Sequence, residues 1–389
     1  MKQLLVLGLT GLLVACAGTD NSPVPTELKA IQQTATLTPL WDNSFPSANL
    51  FRRAYEKLWA GEPPKSVLFR FAPDVTGSAI YMADVRGVAG FGSTDGRLSV
   101  KVESEKPLAG GIGAADGVVA AGTLKGELFA WDTDGKLKWQ VRVPSEVISP
   151  PVIAEGVVVV RTIDGRITGL NVNDGKQRWQ FQRTQPALIL RNYAAMTVAD
   201  GVVYAGLSAG HLVALSLADG RVLWESLVAQ PKGATELERI SDVTSAPVVD
   251  NGQVCAVAFQ GRVACFAVNN GSLLWARDIS SYAGLAIDTN HVYVTDDVGT
   301  IQAFERSGGR SLWKSNELYG RRVSGPVPIG DYIAVGDFEG YVHLVAAADG
   351  RLVARQRTDK SPIVVAPRVI GGRLLVQTQA GGLFAFGLK

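Results

Sequence analysis

The stretch that decides the fold reads Ala214-Leu215-Ser216-Leu217-Ala218-Asp219-Gly220-Arg221-Val222-Leu223-Trp224. In it an apolar run is followed by an Asp-Gly pair, and a Trp stands four residues after the Gly. An Asp-Gly pair between two short apolar runs predicts two strands joined by a tight turn, because such a turn requires a positive φ, which Gly adopts without steric strain. The same spacing recurs as Gly135 with Trp139, Gly175 with Trp179, Gly271 with Trp275 and Gly309 with Trp313, while at Gly350 the Trp position holds Ala354.

A second kind of hairpin, exemplified by Thr162-Ile163-Asp164-Gly165-Arg166-Ile167, alternates with the first. Eight matches lie mostly 38 to 51 residues apart, with one interval of 30, around Gly96, Gly126, Gly165, Gly210, Gly261, Gly299, Gly340 and Gly381. About 40 residues accommodate four short strands, and four-stranded sheets repeated around an axis are the blades of a β-propeller. The chain is therefore predicted to be all-β, an eight-bladed β-propeller of four-stranded antiparallel blades. Seven blades would follow if the weak first match, around Gly96, were false.

The two ends of the repeat region complement each other. The last hairpin, around Gly381, lacks a following strand with a Trp, whereas Pro39-Leu40-Trp41 near the start has no hairpin of its own. We therefore expect the N-terminal strand around Trp41 to pair with the last blade and close the propeller. The predicted domain organisation is a signal peptide over residues 1–15, a lipidated cysteine with a flexible tether over 16–38, and the propeller over 39–389.

The N-terminal residues indicate export. Lys2 precedes an apolar run from Leu4 to Val14, which has the length of a secretory signal. The run ends in Leu13-Val14-Ala15-Cys16, which resembles the lipobox of bacterial lipoproteins. That resemblance implies cleavage before Cys16 and lipidation of its thiol, and Ala17 in place of Asp favours an outer-membrane location. The residues from 17 to 38, which include five Thr and two Pro and few large apolar side chains, are expected to form the tether.

Composition and cysteine usage limit the classes of function. There are 38 basic and 36 acidic residues without a basic block, so a nucleic-acid partner is not expected. Cys255 and Cys265 are equally spaced about Gln260, so they could face each other across a hairpin. The sequence leaves open whether they form a disulfide or remain two small buried thiols.

No residue set points to catalysis. The repeat resembles that of quinoprotein-like propellers, whose dehydrogenases carry adjacent cysteines above the quinone and a calcium site rich in carboxylates. Neither feature is present in this sequence, and His211, His291 and His343 fall in separate repeats, where they cannot form a metal-ligand set. We therefore expect no catalytic residue, metal or cofactor. The alternatives kept open are a propeller that binds a small ligand in its channel and a relative of the quinone-dependent dehydrogenases.

One segment outside the repeat has helical periodicity. Phe51, Tyr55, Leu58 and Trp59 recur at the spacing of one helix face. The segment is predicted to be a short helix packed on the propeller's own face, with a docking helix for a partner as the alternative.

Two adjacent intervals of the repeat are long, 45 residues from Gly165 to Gly210 and 51 from Gly210 to Gly261. The added residues follow Trp179 and Trp224, in links between neighbouring blades, and such links emerge on the same face of a propeller. The first link contains an apolar run, Leu188-Ile189-Leu190, that ends in Arg191. Exposed aliphatic side chains beside charges are typical of a protein-binding surface. Alternatively, Leu188 and Leu190 begin the next inner strand and are buried.

The lipobox, the Trp repeat and these two links together resemble the BamB family, lipoproteins of the outer-membrane β-barrel assembly machine. The resemblance implies a scaffold at the periplasmic face of the outer membrane, anchored through Cys16, that binds a periplasmic POTRA domain of BamA and through it other Bam subunits, and it leaves room for contact with nascent outer-membrane proteins. The partner-binding residues it implies are Leu188, Ile189, Leu190, Arg191, Asp242 and Val243. The family has a second Asp where this chain has Thr244, which puts the acidic half of that site in doubt.

Overall fold

The structure, a computed structural model, describes residues 23–44, 71–191 and 194–389, and within them the chain forms an eight-bladed β-propeller. Each blade is a four-stranded antiparallel sheet, as the repeat predicted. The first strand of the chain, β1 (Leu37–Ser44), belongs to the last blade. The predicted helix over Phe51 to Trp59 and the predicted lipidation site at Cys16 lie outside the described residues.

Blades 1 to 4 follow one another along the chain. Blade 1 comprises β2 (Asp74–Thr76), β3 (Ala79–Asp84), β4 (Gly87–Gly92) and β5 (Leu98–Glu103). Blade 2 comprises β6 (Leu108–Ala115), β7 (Val118–Thr123), β8 (Glu127–Asp132) and β9 (Leu137–Arg142). Blade 3 comprises β10 (Val152–Ala154), β11 (Val157–Arg161), β12 (Arg166–Asn171) and β13 (Gln177–Gln182). Blade 4 comprises β14 (Thr197–Ala199), β15 (Val202–Gly206), β16 (His211–Ser216) and β17 (Val222–Leu227), with a 3-10 turn at Ser208–Gly210.

Blades 5 to 8 complete the ring. Blade 5 comprises β18 (Val248–Asp250), β19 (Gln253–Val257), β20 (Arg262–Ala267) and β21 (Leu273–Asp278). Blade 6 comprises β22 (Gly284–Ile287), β23 (His291–Thr295), β24 (Ile301–Glu305) and β25 (Ser311–Ser315). Blade 7 comprises β26 (Val327–Ile329), β27 (Tyr332–Gly336), β28 (Tyr341–Ala346) and β29 (Leu352–Arg357). Blade 8 comprises β30 (Arg368–Ile370), β31 (Arg373–Gln377), β32 (Gly382–Leu388) and β1.

The ring closes as predicted. Strand β1 pairs antiparallel with β32, and Trp41 lies opposite Ala385. The N-terminal strand thus supplies the outer strand that the last hairpin lacks. Closure of this kind joins the two ends of the chain within one sheet and covers a sheet edge.

The order of strands within a blade follows from their burial. The first strands of neighbouring blades contact one another around the axis. The second and third strands are almost wholly buried, as in β11 and β12, because both of their faces are covered by adjacent blades. The fourth strand, for example β13, alternates between exposed and buried positions and forms the outer edge.

Connections alternate between two faces because successive strands run in opposite directions. One face carries the turns from second to third strand and the loops from the fourth strand of a blade to the first strand of the next. We call it the long-loop face. The opposite face carries the turns from first to second and from third to fourth strand.

The repeated Trp packs neighbouring blades together. The Nε1 of Trp179 donates a hydrogen bond to Leu217 O in the next blade at 2.8 Å, and its ring covers Gly220. A Cβ at Gly220 would lie 2.5 Å from the ring, and this Gly also has a φ of +72°, so both the turn and the ring require Gly. The same bond joins Trp139 to Val172 O, Trp224 to Val268 O, Trp275 to Arg306 O and Trp313 to Ala347 O.

The closing seam departs from this pattern. Trp41 covers Gly96 in the same way, but its Nε1 has no hydrogen-bond partner within the part of the chain that the structure describes. The equivalent carbonyl, Ser93 O, accepts instead from Arg373 at 3.0 Å.

The first hairpin of the sequence pattern was wrongly placed. Gly96 lies in the turn between β4 and β5, a third-to-fourth connection, whereas the other seven matches lie between second and third strands. The corresponding turn of blade 1, between Asp84 and Gly87, lacks the Gly unit, which explains the short interval of 30 residues. The count of eight blades was right because blade 1 exists without that signature.

The two cysteines of blade 5 form a disulfide. Cys255 in β19 and Cys265 in β20 lie opposite each other in the hairpin register and are joined, with a Cα–Cα distance of 4.0 Å. Of the two alternatives that the sequence left open, the structure has the disulfide.

Part of the predicted tether is packed against the propeller. Ala35 and Leu37 are buried, and Thr36 exchanges two backbone hydrogen bonds with Lys389. The folded region therefore begins well before the predicted boundary at residue 39, because the segment adds apolar side chains and backbone hydrogen bonds to the outer strands. No described helix is both long and apolar enough to cross a bilayer.

Candidate functional site

The two long intervals form neighbouring loops on the long-loop face. Residues 183–196 link blade 3 to blade 4, and residues 228–247 link blade 4 to blade 5. Strand β14 begins only at Thr197, so Leu188 and Leu190 lie in the loop and do not begin the next inner strand. The interpretation as loop residues holds, and the alternative is excluded.

The Asp242 carboxylate ties the two loops together. Its Oδ2 accepts a hydrogen bond from the backbone N–H of Leu190 at 2.7 Å, and its Oδ1 accepts from the N–H of Ala209 at 3.0 Å. Ala209 has a φ of 55° in the turn between β15 and β16, which aims its N–H at the carboxylate. One side chain thus connects the first loop, the second loop and blade 4.

The side chains of Asp242 and Val243, both predicted as partner-binding residues, are buried. Asp242 is 2% exposed and Val243 is fully buried. The N–H of Val243 donates to Leu207 O at 3.1 Å, and Val243 forms a β-bridge with Ala258. The Val243 side chain packs in the core between blades 4 and 5, and the Asp242 carboxylate lies beneath the first loop, between the N–H groups of Leu190 and Ala209. The neighbouring Thr244 donates its hydroxyl to Ser281 O at 3.0 Å, so it too is engaged within the fold.

A buried cation lies below the first loop. Arg161, the last residue of β11, is 8% exposed and donates from Nη1 to Gly206 O at 2.6 Å. Burial lowers the pKa of Arg161 to about 10, and the negative charge of Asp242 opposes that effect. Burial raises the pKa of Asp242 above its ordinary value, while the N–H donors of Leu190 and Ala209 and the charge of Arg161 counteract it. The two charges face each other under the loop and offset part of each other's desolvation cost.

The outer surface of this assembly is apolar with one ion pair. Leu188 is 39% exposed, Ile189 and Leu190 are half-buried, and Arg191 donates from Nη2 to Glu146 Oε2 at 2.6 Å. We call these five residues the loop patch. Its inner side borders a small open cleft, lined among others by Ile148, Arg161, Ile163, Ile189, Leu190 and Asp242.

Sequence reasoning missed Glu146 and Arg161. Glu146 lies in the preceding link, between β9 and β10, so the site spans three consecutive interblade loops instead of two. For Arg161 a signal was available, since a charged residue ends the otherwise apolar run Val157-Val158-Val159-Val160. A cation at the end of a central strand requires a buried partner.

Other chemistry finds little support in the described residues. No group of three or more His, Cys, Asp or Glu side chains over residues 23–44, 71–191 and 194–389 is arranged to hold a metal ion. The three histidines lie in blades 4, 6 and 7, as the repeat predicted. His343 is buried and bonded through Nε2 to the Asp337 carboxylate at 3.0 Å.

Comparison with known proteins gives a consistent family. The family model described as "Outer membrane protein assembly factor BamB" matches residues 85–315 and 299–388. A protein of that description from Nitrosomonas eutropha is 40% identical over 365 residues, 93% of this chain and 85% of the relative. Another from Bordetella pertussis is 43% identical over 315 residues, which cover 80% of this chain and 82% of the relative.

Solved structures agree on the architecture. The crystal structure of BamB from Moraxella catarrhalis superposes with a TM-score of 0.80 at 26% identity, covering 90% of this chain and all of that one. A quinohemoprotein alcohol dehydrogenase from Comamonas testosteroni reaches a TM-score of 0.67 at 13% identity, covering 90% of this chain and 76% of the dehydrogenase. At that identity the likeness to the dehydrogenase is one of fold alone.

Proposed function

The chain belongs to the BamB family of outer membrane protein assembly factors, and from that membership we propose that it is a non-enzymatic scaffold whose loop patch binds the periplasmic POTRA region of BamA. Its role is in outer-membrane protein assembly. Catalysis has no part in that role, since the named relatives are assembly factors and the dehydrogenases share only the propeller.

The observation that supports this proposal most directly is the hold of Asp242 on the loop that carries Leu188 to Arg191. Because the loop backbone is fixed from beneath, Leu188 stays exposed, and Ile189 and Leu190 remain half-buried at the surface. A rigid apolar surface beside a cation loses little conformational entropy on binding, which is the property of interface hot spots.

The Arg191–Glu146 pair adds a polar component at the edge of the loop patch. Both side chains are partly solvent-exposed, so the pair itself contributes little to folding stability. Either charge can instead be shared with a partner, and a charge at the rim of an interface acts mainly on orientation and association rate.

The proposed setting is the periplasmic face of the outer membrane, with the chain anchored by lipid on Cys16. BamA would connect the scaffold to other Bam subunits, and the remaining propeller surface is available to nascent outer-membrane proteins. Through its contact with BamA the scaffold would assist the insertion of β-barrel proteins.

The direct test is binding of the full-length protein in detergent to the BamA periplasmic domains. The informative variant is Leu188→Asp, which places a charge in the centre of the loop patch. We expect it to weaken binding at least tenfold, about 1.4 kcal/mol, because a desolvated carboxylate replaces an apolar contact. The matched control is Leu223→Asp, since Leu223 on β17 is 40% exposed, against 39% for Leu188, but lies outside the loop patch.

Circular dichroism should be the same for both variants and the wild type. Equal affinity for Leu188→Asp and Leu223→Asp would show that the loop patch is not the contact. No binding by the wild type would remove BamA as the partner and favour a ligand of the propeller channel.

A further inference from the structure

The segment from residue 24 to 36, which we call the N-terminal strap, crosses the propeller from one face to the other. At its start Thr26 contacts the loop between β25 and β26, on the long-loop face. At its end Thr36 bonds to Lys389, where β32 reaches the opposite face. Strand β1 then returns toward the long-loop face. The strap therefore emerges from the fold at the long-loop face, between blades 6 and 7.

The emerging end of the strap is held by backbone contacts. The N–H of Thr26 donates to Tyr319 O at 2.9 Å, and Arg321 Nη1 donates to Thr26 O at 3.1 Å. Gly320 lies between these contacts, with a φ of +73°, and a Cβ there would come within 2.8 Å of Val24 O. The two backbones approach so closely that only Gly fits.

Arg321 is fixed by a buried ionic network. Its Nε donates to Asp337 Oδ2 at 2.9 Å, and its Nη2 bonds to Glu339. Asp337 also accepts from His343, and Arg321, Asp337 and His343 are all buried. Such a network fixes the orientation of the Arg321 guanidinium. Its Nη1 is thereby directed at Thr26 O of the strap.

The rest of the strap is packed along the outside of blades 6 and 7. Leu28 and Ile31 pack on the core cluster that includes Leu318 and Val323. Arg355 Nη1 donates to Lys29 O at 3.2 Å, and the N–H of Thr34 donates to Val353 O at 3.1 Å. Partial burial of apolar side chains and these hydrogen bonds hold residues 26–36 against the folded body, whereas Val24 is 84% exposed.

We propose that the N-terminal strap determines which part of the propeller faces the membrane, namely the edge of the long-loop face between blades 6 and 7. The inference rests on the proposed lipid anchor at Cys16. The eight residues from Cys16 to Val24 span at most about 28 Å. The point where the strap leaves the fold is therefore held close to the lipid headgroups, whereas a free tether extending from Cys16 to residue 38 would allow any orientation.

The loop patch lies on the same face as the strap exit. It is built on the links between blades 2 and 5, and the exit is the link between blades 6 and 7. The strap thus presents the loop patch on the membrane-facing side, so that a partner bound there is engaged near the membrane.

The test compares the distance of the two faces from the membrane in the full-length lipidated protein on vesicles of phosphatidylethanolamine and phosphatidylglycerol. A fluorophore is placed on Asn316→Cys, at the long-loop face, or on Asp331→Cys, in the first-to-second turn of blade 7 on the opposite face. A nitroxide on the lipid headgroups quenches whichever label is near. We expect quenching at residue 316 to be at least threefold stronger than at residue 331.

A second pair of variants tests whether detaching the strap from the loop at Gly320 changes the orientation of the propeller. Gly320→Ala should remove the difference between the two labels and speed amide exchange at Thr26. Gly117→Ala is the matched control, since Gly117 has a φ of +71° but nothing within 4 Å of its Cβ position. If Gly320→Ala leaves the Thr26 amide protected, Ile31→Asp, which removes apolar packing of the strap, replaces it.

Equal quenching of the two labels in the wild type, or an unchanged difference after release of the strap, would overturn the proposal. The mass of the N-terminal peptide separates this outcome from failure of its premise. An unmodified Cys16 overturns anchor and orientation together, whereas a lipidated chain without a face preference overturns the orientation alone. Binding to BamA is measured independently of either result.

Discussion

The loop patch and the strap exit lie on the same face of the propeller, and each is built over a buried arginine and aspartate. Under the loop patch these are Arg161 and Asp242, and under the strap exit they are Arg321 and Asp337. In both places a buried charge holds the backbone of a segment that arrives from elsewhere in the chain. The segments differ in what they leave outside. The first exposes Leu188 and Arg191, whereas the second packs the partly buried Leu28 and Ile31 against the blades.

The same arrangement, a buried charge beneath a backbone segment, therefore occurs in two different structural settings. A buried charge that fixes a loop whose apolar side chains point outward produces a preorganised binding surface. The same device applied to a segment whose apolar side chains point inward produces a structural lock. The proposed binding loop and the strap are therefore distinguished by the direction of their aliphatic side chains, and not by the ionic pair beneath them.

The two aspartates also differ electrostatically. Burial raises the pKa of Asp242, and its hydrogen bonds do not fully compensate. Burial would raise the pKa of Asp337 as well, but its hydrogen bonds with His343, the Tyr341 N–H and Arg321 outweigh that effect and lower the pKa. The charged form of Asp337 is thus favoured by folding, whereas the charged form of Asp242 is tolerated for the contacts it makes.

The largest expected effect is on stability at the strap exit. Asp337→Asn removes the negative charge that Arg321 and His343 contact, and we expect it to lower the free energy of unfolding by about 3 kcal/mol, because buried Arg321 loses the buried one of its two carboxylate partners. Asp242→Asn should cost clearly less, since its pKa indicates no net gain from the charge. Chemical denaturation at pH 7 measures both. Equal losses would contradict the distinction drawn between the two sites.

The next effect is on binding at the loop patch. Asp242→Asn keeps the shape of the side chain but offers only one acceptor oxygen to Leu190 and Ala209. We expect the loop to loosen and affinity for the BamA periplasmic domains to fall about tenfold, that is by about 1.4 kcal/mol, measured by calorimetry.

The matched control for this variant is Asp116→Asn. Asp116 Oδ2 accepts the N–H of Gly156 at 2.8 Å, which is also a carboxylate-to-backbone bond between blades, but on the opposite face. It should leave affinity unchanged. A tenfold loss in both variants would point to a general loosening of the propeller instead.

The smallest effect concerns pH, because the strap exit contains an imidazole and the described lining of the loop-patch cleft contains none. Burial lowers the pKa of His343, with Asp337 opposing. The unfolded chain therefore protonates first, near pH 6.5. The contribution of neutral His343 to stability is complete above that value and is lost as the pH falls below it.

Unfolding at pH 7 and pH 5 measures this contribution. We expect the wild type to lose more stability between these values than His343→Gln, by about 1 kcal/mol. His211, whose pKa burial also lowers, accounts for a remaining pH dependence in the variant. Identical pH dependence of the two proteins would exclude His343 as a contributor.

Much of the fold could be predicted from residue spacing alone. Hairpins with Asx-Gly turns, a Trp four residues later and a repeat of about 40 residues are local features, because turn geometry and strand alternation depend on near neighbours. The closing strand at Trp41 could be inferred because one unit was incomplete at each end. The match at Gly96 was misplaced because the second-to-third turn and the third-to-fourth turn of a blade use the same residue types.

The sequence predicted only part of the candidate site. Unusual loop length and an apolar run ending in Arg191 identified the loop patch, because a propeller does not need such residues for its own blades. The sequence did not show that Asp242 and Val243 lie beneath the loop, or that Glu146 completes its edge, because those relations join residues 45 to 52 positions apart.

The sequence by itself thus determined the propeller, its eight-fold repeat, its closure and the place of its long loops, since each of these follows from local chemistry repeated in order. Only the tertiary structure decided that Cys255 and Cys265 are bonded, that Asp242 is buried beneath the first loop, and that the N-terminal strap packs on the blades. The bond between Arg321 and Thr26 connects residues 295 positions apart. No local pattern encodes such a contact, because it forms only after the ring has brought the two ends of the chain together.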